Sequence, residues 1–208
     1  MKLPTEQEVQ DLIASFRVPT HILKHMQKVN EVTLFLARKL NEHGENYNLK
    51  LLDFGARLHD LAKPLSFKEI QVNKKENLVP QERNTKEDLE FWFDKKKEFS
   101  TPRHGEIAGE VLKDYPELAK MISNHGPQDI LKENLTKEIL LLNYVDKRIC
   151  EEEIVTIGER FAGFRKSYSE SNDSEEIINK FLKIEQDIFT KIGLKPEDLK
   201  LELEKDKK

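Results

Sequence analysis

The sequence has a single cysteine, Cys150, among its 208 residues, so no disulfide can form within the chain. No apolar stretch reaches the roughly 20 residues that a membrane-spanning helix needs. The first residues, Met1-Lys2-Leu3-Pro4-Thr5-Glu6, lack the apolar core of a secretory signal. These absences point to a reducing, cytoplasmic setting without a membrane partner. Excess positive charge is missing as well: the net charge is -4 and the pI is near 5.9. That argues against tight binding to duplex nucleic acid through its phosphates, while a small anionic substrate held by local charge remains open. Strand-like alternation of useful length, internal repeats and a linker dividing the chain are also absent. The expectation is one main domain.

What is present is a near balance of hydrophobic (37%) and charged (36%) residues, which confines the apolar positions to narrow faces of amphipathic elements. Helices suit that balance, and the fold class is all-α. Thr5 caps a first short helix to about Phe16, and Val18-Pro19-Thr20 resets the chain and caps a second. From His21 to about Glu42, Ile22, Met26, Val29, Val32, Phe35, Leu36 and Leu40 recur at three- and four-residue intervals, and Gly44 ends the run. Leu51, Leu52, Phe54, Leu58 and Leu61 repeat the pattern over Asn48 to Lys63. Pro64 stops that helix, which puts His59 and Asp60 in its last turn or two.

Residues 70–100 differ: they are polar and lysine-rich, interrupted by Pro80, with a helix from Thr85 to Phe99, and read as an insertion. Helical pattern resumes over Arg103 to Tyr115, Pro116 to Asn124, Thr136 to about Tyr168, and Ser174 to Ile192. The Lys/Glu-rich tail after Leu199 is expected to be frayed or disordered. The domain reading is therefore 1–168, carrying the insertion, followed by a helical extension and charged tail over 169–208.

Six ligand-type residues, His25, His59, Asp60, His104, His125 and Asp146, fall at points of these helices where each can face one shared interior. Imidazole and carboxylate donors suit iron, manganese, zinc, nickel or cobalt, and thiolate is absent apart from Cys150. Residues three and four apart share a helix face, so Lys63 can place a positive charge beside His59 and Asp60. Asn143 can orient Asp146 from one turn away. Gly105 and Gly126, beside His104 and His125, leave room for a ligand or water. Arg103, Lys147 and Arg148 are further candidates for substrate contact. The bland readings are these: Phe91-Trp92-Phe93 packs an inserted helix onto the domain, Glu151-Glu152-Glu153 is a solvated helix face, Cys150 is a buried inert thiol, and His21 and His43 are surface residues.

The ordered set resembles the HD-domain metal-dependent phosphohydrolases over about residues 18 to 168. His25-Met26-Gln27-Lys28-Val29 is similar to the family's opening His-x-x-x-Val, Leu58-His59-Asp60-Leu61-Ala62-Lys63 to its central motif, and Tyr144-Val145-Asp146-Lys147-Arg148 to its closing one. The added histidines in His104-Gly105-Glu106 and Asn124-His125-Gly126 resemble the branch that binds two metals. Leu61-Ala62 stands where that branch commonly has Ile-Gly, and the Gly-Tyr-Pro motif of cyclic-di-nucleotide phosphodiesterases is missing. The resemblance implies that His25, His59, Asp60 and Asp146 hold one divalent transition metal, with Asp60 bridging to a second held by His104 and His125. It implies hydrolysis of a phosphate ester or anhydride of a small nucleotide-type substrate by a metal-bridged water, with Asp60 and Lys63 as the catalytic residues. Two alternatives stand beside it: a metal- and nucleotide-binding sensor without turnover, and a dinucleoside polyphosphate hydrolase. A homo-oligomer is left open.

Overall fold

The computed structural model describes residues 1–74, 78–167 and 174–206. The fold is all-α, with two very short antiparallel hairpins. Helix α1 (Glu6–Ser15) starts where Thr5 and Glu8 exchange hydrogen bonds in a capping box. Helix α2 (Thr20–Glu42) begins two residues before its apolar stripe, with Pro19 at the cap position, so Thr20 is its first helical residue and not its cap. Its stripe, from Ile22 through Met26, Val29, Val32 and Leu36 to Leu40, is buried throughout. Each such side chain contributes roughly 1.5–3 kcal/mol by leaving water, which makes α2 the axis of the core. It contacts α3 (Leu49–Leu58) and α7 (Lys137–Arg148) directly.

Helix α3 stops earlier than the pattern to Lys63 suggests. Beyond Leu58 the hydrogen bonds tighten from four residues to three: Leu61 N–H donates to Leu58 O (3.0 Å), Lys63 to Asp60 (2.9 Å) and Leu65 to Ala62 (3.1 Å). A 3-10 turn over Lys63–Ser66 follows, with Pro64 buried. Proline disfavours α geometry in the residue before it, which accounts for the tightening. His59 and Asp60 therefore sit on a compact turn at the helix end.

The insertion begins with the hairpin β1 (Val72–Asn73) and β2 (Gln81–Glu82), with residues 75–77 outside the described set. Helix α4 (Lys86–Lys96) follows, capped by Thr85 and Asp88. Trp92 anchors it: its indole N–H donates to Phe16 O (2.8 Å) and its ring meets Phe67 edge-on at 5.6 Å. Phe93 points into solvent at 67% exposure. Helices α5 (His104–Val111) and α6 (Pro116–Ser123) pack against one another and close one side of the core.

The run expected to be one helix from Thr136 to Tyr168 is broken. Helix α7 gives way at Ile149 to a hairpin of β3 (Ile149–Cys150) and β4 (Glu153–Ile154), turned by Glu151 at φ 58°, and helix α8 (Ile157–Ser167) starts afresh. Tyr168 itself, and with it the expected boundary between residues 168 and 169, lies outside the described residues. The acidic run 151–153 is thus a hairpin turn, and no helix face. Helix α9 (Glu175–Ile192), capped by Ser174 and ended by Gly193 at φ 66°, packs on α2, α7 and α8 and puts Phe181 and Phe189 into the common core. The tail expected to fray forms α10 (Leu199–Asp206), which buries Leu199 and Leu203 and ties Asp206 to Arg38 on α2 (2.8 Å). Two apolar residues four apart are enough to dock it. Among the described residues no helix is long and apolar enough to cross a membrane.

Candidate metal centre

Five separate segments converge on one buried point. α2 brings His25, the turn after α3 brings His59 and Asp60, the start of α5 brings His104, the loop after α6 brings His125, and α7 brings Asp146. Asp60 lies between two pairs of histidines. Its Oδ1 is 3.1 Å from His104 Nε2 and 3.6 Å from His125 Nε2. Its Oδ2 is 3.8 Å from His59 Nε2 and 4.0 Å from His25 Nε2. The ligand atoms thus form two groups able to hold a metal ion, His25-His59-Asp60 and Asp60-His104-His125, each within 4.8 Å. Asp146 Oδ1 joins the first, at 3.0 Å from His25 Nε2 and 3.5 Å from His59 Nε2.

Three of the rings are fixed by backbone carbonyls. His25 Nδ1 lies 3.0 Å from Glu151 O, His59 Nδ1 2.8 Å from Ala56 O, and His125 Nδ1 2.6 Å from Ile122 O. A carbonyl can only accept, so each Nδ1 carries a proton, and Nε2 is the atom that each ring turns inward, where the neutral form presents a lone pair. Lone pairs then face other acceptors: His25 Nε2 meets a carboxylate oxygen, and His59 Nε2 is fully buried without a hydrogen-bond partner. Such a set is costly unless a cation sits among the acceptors. The residues present therefore fit metal binding, by the chemistry of their donors and by the orphaned His59 nitrogen.

The charges agree with that reading. Burial pushes the Asp60 carboxyl up, but the Lys63 ammonium (3.4 Å from Oδ2) and the surrounding imidazoles of His59, His104 and His125 outweigh it and hold Asp60 well below the usual carboxylate range. Burial likewise raises Asp146, and Lys147, His25 and His59 bring it well below that range. His104 is pushed down to about 4, by desolvation first and then by Lys63, against the pull of Asp60. Both carboxylates are thus ionised and His104 is neutral at neutral pH, the states in which these groups ligate.

A comparison with protein-family models, curated proteins and solved structures finds no match in any of the three.

Of the residues expected to contact substrate, Lys63 lines a cavity of about 360 Å³ that opens over His25 and Asp60. The other three are engaged elsewhere. Lys147 is buried, pairs with Asp146, and donates to His125 O (3.0 Å), so it positions ligands from both groups. Arg103 spans Glu106 (2.8 Å) and buried Asp129 (2.7 Å) at the base of the His125 loop. Arg148, 3% exposed, bonds Tyr144 Oη, Glu185 and the carbonyls of Val155 and Pro196, and so joins α7 to α9. Asn143 does not orient Asp146: its Nδ2 donates to Asn124 O and Gly126 O, both at 3.1 Å, and pins the loop that carries His125. The space at Gly105 is filled by protein, since a Cβ there would lie 3.0 Å from the His125 ring; at Gly126 it would lie 2.7 Å from the Asp129 carboxylate.

The sequence reading passed over several residues of the cavity wall. His21, taken for a surface residue, is half-buried and stacks on Phe67 at 6.0 Å. Arg160 and Phe164 of α8 face the same cavity, and Cys150 is a half-buried part of its wall. His21 carried one usable signal, its place one helical turn before His25.

Proposed function

We propose that this chain is an HD-type metal-dependent phosphohydrolase acting on a phosphate ester or anhydride of a small nucleotide-type substrate. The disposition of Asp60 carries the reading, because a buried carboxylate with one oxygen toward each of two histidine pairs is the arrangement a bridging ligand needs. Two divalent ions in these groups would supply Lewis-acid polarisation of the phosphoryl oxygens and acidify water, the two aids that hydrolysis of an anionic ester requires. The chain's own groups do the rest. Lys63 stands on the cavity side of Asp60 and offers positive charge where negative charge accumulates on the phosphoryl group. The carbonyls of Ala56, Glu151 and Ile122 hold three imidazoles with their lone pairs inward, and Lys147 holds Asp146 and the His125 loop together. The setting proposed is cytoplasmic and the partner a small phosphorylated molecule.

The test joins metal analysis of the purified protein to a panel of phosphate esters and anhydrides, with Asp60→Ala alongside. Two metals per chain at saturation, phosphate release, and loss of both in the variant are expected. Turnover unchanged in Asp60→Ala would remove the assigned site. Bound metal without turnover on any substrate would favour a sensor.

A further inference from the structure

The cavity above Asp60 has a second wall that the metal site does not account for, supplied mainly by α8. Of its charged groups, Lys63 is engaged with Asp60, and Arg83 is shared between Asn73 Oδ1 (3.2 Å) and Glu151 Oε1 (3.5 Å). Glu159 is turned to the backbone N–H and hydroxyl of Thr156. Arg160 is different. Among the described residues it has no carboxylate partner, and its Nε is shielded from water without a hydrogen-bond acceptor. Its guanidinium carbon lies over the Phe164 ring, 4.5 Å from the centroid, and with Nε shut away its outer nitrogens are the ones that can meet an anion in the cavity.

The aromatic groups around Arg160 are held in place from behind. Phe161 meets Phe164 edge-on at 5.6 Å, and Trp92 of the insertion meets Phe67 in the same way. Phe67 in turn carries the His21 ring, nearly parallel at 16°. His21 is pushed down to about 4 by burial and by Arg83, so it is neutral at neutral pH, and its Nδ1 has no partner. Between these walls Gly163 leaves the space open: a Cβ added there would meet nothing within 4 Å. At about 360 Å³ the cavity lies near the lower end of small-molecule sites, roughly 300–1,000 Å³.

We propose that α8 is the substrate-recognition element of this site, with Arg160 anchoring the phosphate and with Phe164 and the His21–Phe67 pair, which line the same cavity, holding one planar base. This rests on the phosphohydrolase reading for its chemistry and deepens it: the substrate is a single nucleoside monophosphate, and neither an aliphatic phosphate nor a dinucleoside polyphosphate. The insertion gains a role, since Trp92 buttresses Phe67.

Binding by the metal-loaded full-length protein tests this independently of turnover. The probes are the C–P-bonded methylenephosphonate analogue of adenosine 5′-monophosphate, which cannot be hydrolysed, and methylphosphonate, titrated calorimetrically. The nucleoside probe is expected to bind at least roughly 10-fold more tightly, the gain of stacking one base. Arg160→Gln weakens both probes by roughly 10-fold or more, as loss of a charge-assisted hydrogen bond requires. Phe164→Ala, which also removes the ring under Arg160, weakens the nucleoside probe more than methylphosphonate. Gly163→Leu, which fills open space and leaves core packing alone, excludes that probe while metal content and melting temperature stay at wild-type values. Equal affinity for the two probes in the wild type, absence of binding, or wild-type binding by Arg160→Gln would each overturn the proposal. Arg160-dependent binding without phosphate release from any ester would leave the pocket standing and remove the hydrolase reading. Turnover of phosphate esters with all three variants behaving as wild type would do the reverse.

Discussion

Replacing Asn143 by leucine isolates the scaffold of the His125 loop from the ligands themselves. Asn143 is fully buried, and its Nδ2 satisfies two carbonyls, Asn124 O and Gly126 O, that flank His125. Leucine has nearly the same shape and donates nothing, so each carbonyl loses a bond in the interior, at about 1–2 kcal/mol apiece. Against that, Asn143 Oδ1 is itself buried without a partner, and its removal returns about 1 kcal/mol. The net cost is about 2 kcal/mol, or roughly 4–8 °C in melting temperature for a domain of this size. Lys147 still donates to His125 O, so the loop loosens without leaving. Affinity at the group containing His104 and His125 should fall on the order of 10–100-fold, the usual effect of losing a partner behind a ligand, while the group containing His25 and His59 keeps its metal. Urea denaturation and metal titration read the two effects separately. Wild-type stability together with two equally tight metals would refute the reasoning.

Three further outcomes are expected. Arg148→Met strands the Glu185 carboxylate and two carbonyls and should cost about 3–5 kcal/mol in denaturant unfolding, with metal stoichiometry unchanged; a stable variant that lost turnover would instead place Arg148 at the substrate. Gly105→Ala forces the His125 ring or Ile122 O to give way, costing about 1–3 kcal/mol and lowering metal content from two toward one per chain by elemental analysis. His21 and His104 both titrate near 4 when folded, below their unfolded value of about 6.5, so the unfolded chain binds more protons between those limits. Stability of the metal-free protein therefore rises with pH across about 4 to 6.5, and His21→Gln should flatten that slope; an unchanged slope would mean His21 is not the group responsible.

The ligand set was legible because its members carry distinctive chemistry and sit in short local motifs: His59-Asp60 before Pro64, His104 at a helix start, His125 before glycine. The largest loss lies at the break after α7. Neither glycine nor proline marks the turn at Glu151, whose carbonyl accepts from His25 Nδ1 126 residues away in sequence. Once that break is missed, the phase of every later residue is lost, which is why Arg160 and Phe164 could not be assigned a face. Lys147 and Arg148 show a related limit. Adjacent cations at the end of one helix look alike in sequence, yet one supports the ligands and the other fastens α9, a difference set by partners on distant segments. Helix α10 was misread by composition alone, although Leu199 and Leu203 already marked a docking face.

The turn at Glu151 has a consequence that reaches beyond either site. Its carbonyl steadies His25 and its carboxylate meets Arg83 on the rim of the cavity, so one short hairpin is mechanically common to the metal ligands and to the recognition pocket. If metal and ligand each bias this turn, their binding is linked, and linkage is reciprocal. Whatever factor metal loading adds to the affinity of the cavity for its ligand, a ligand in the cavity must add to the affinity for metal.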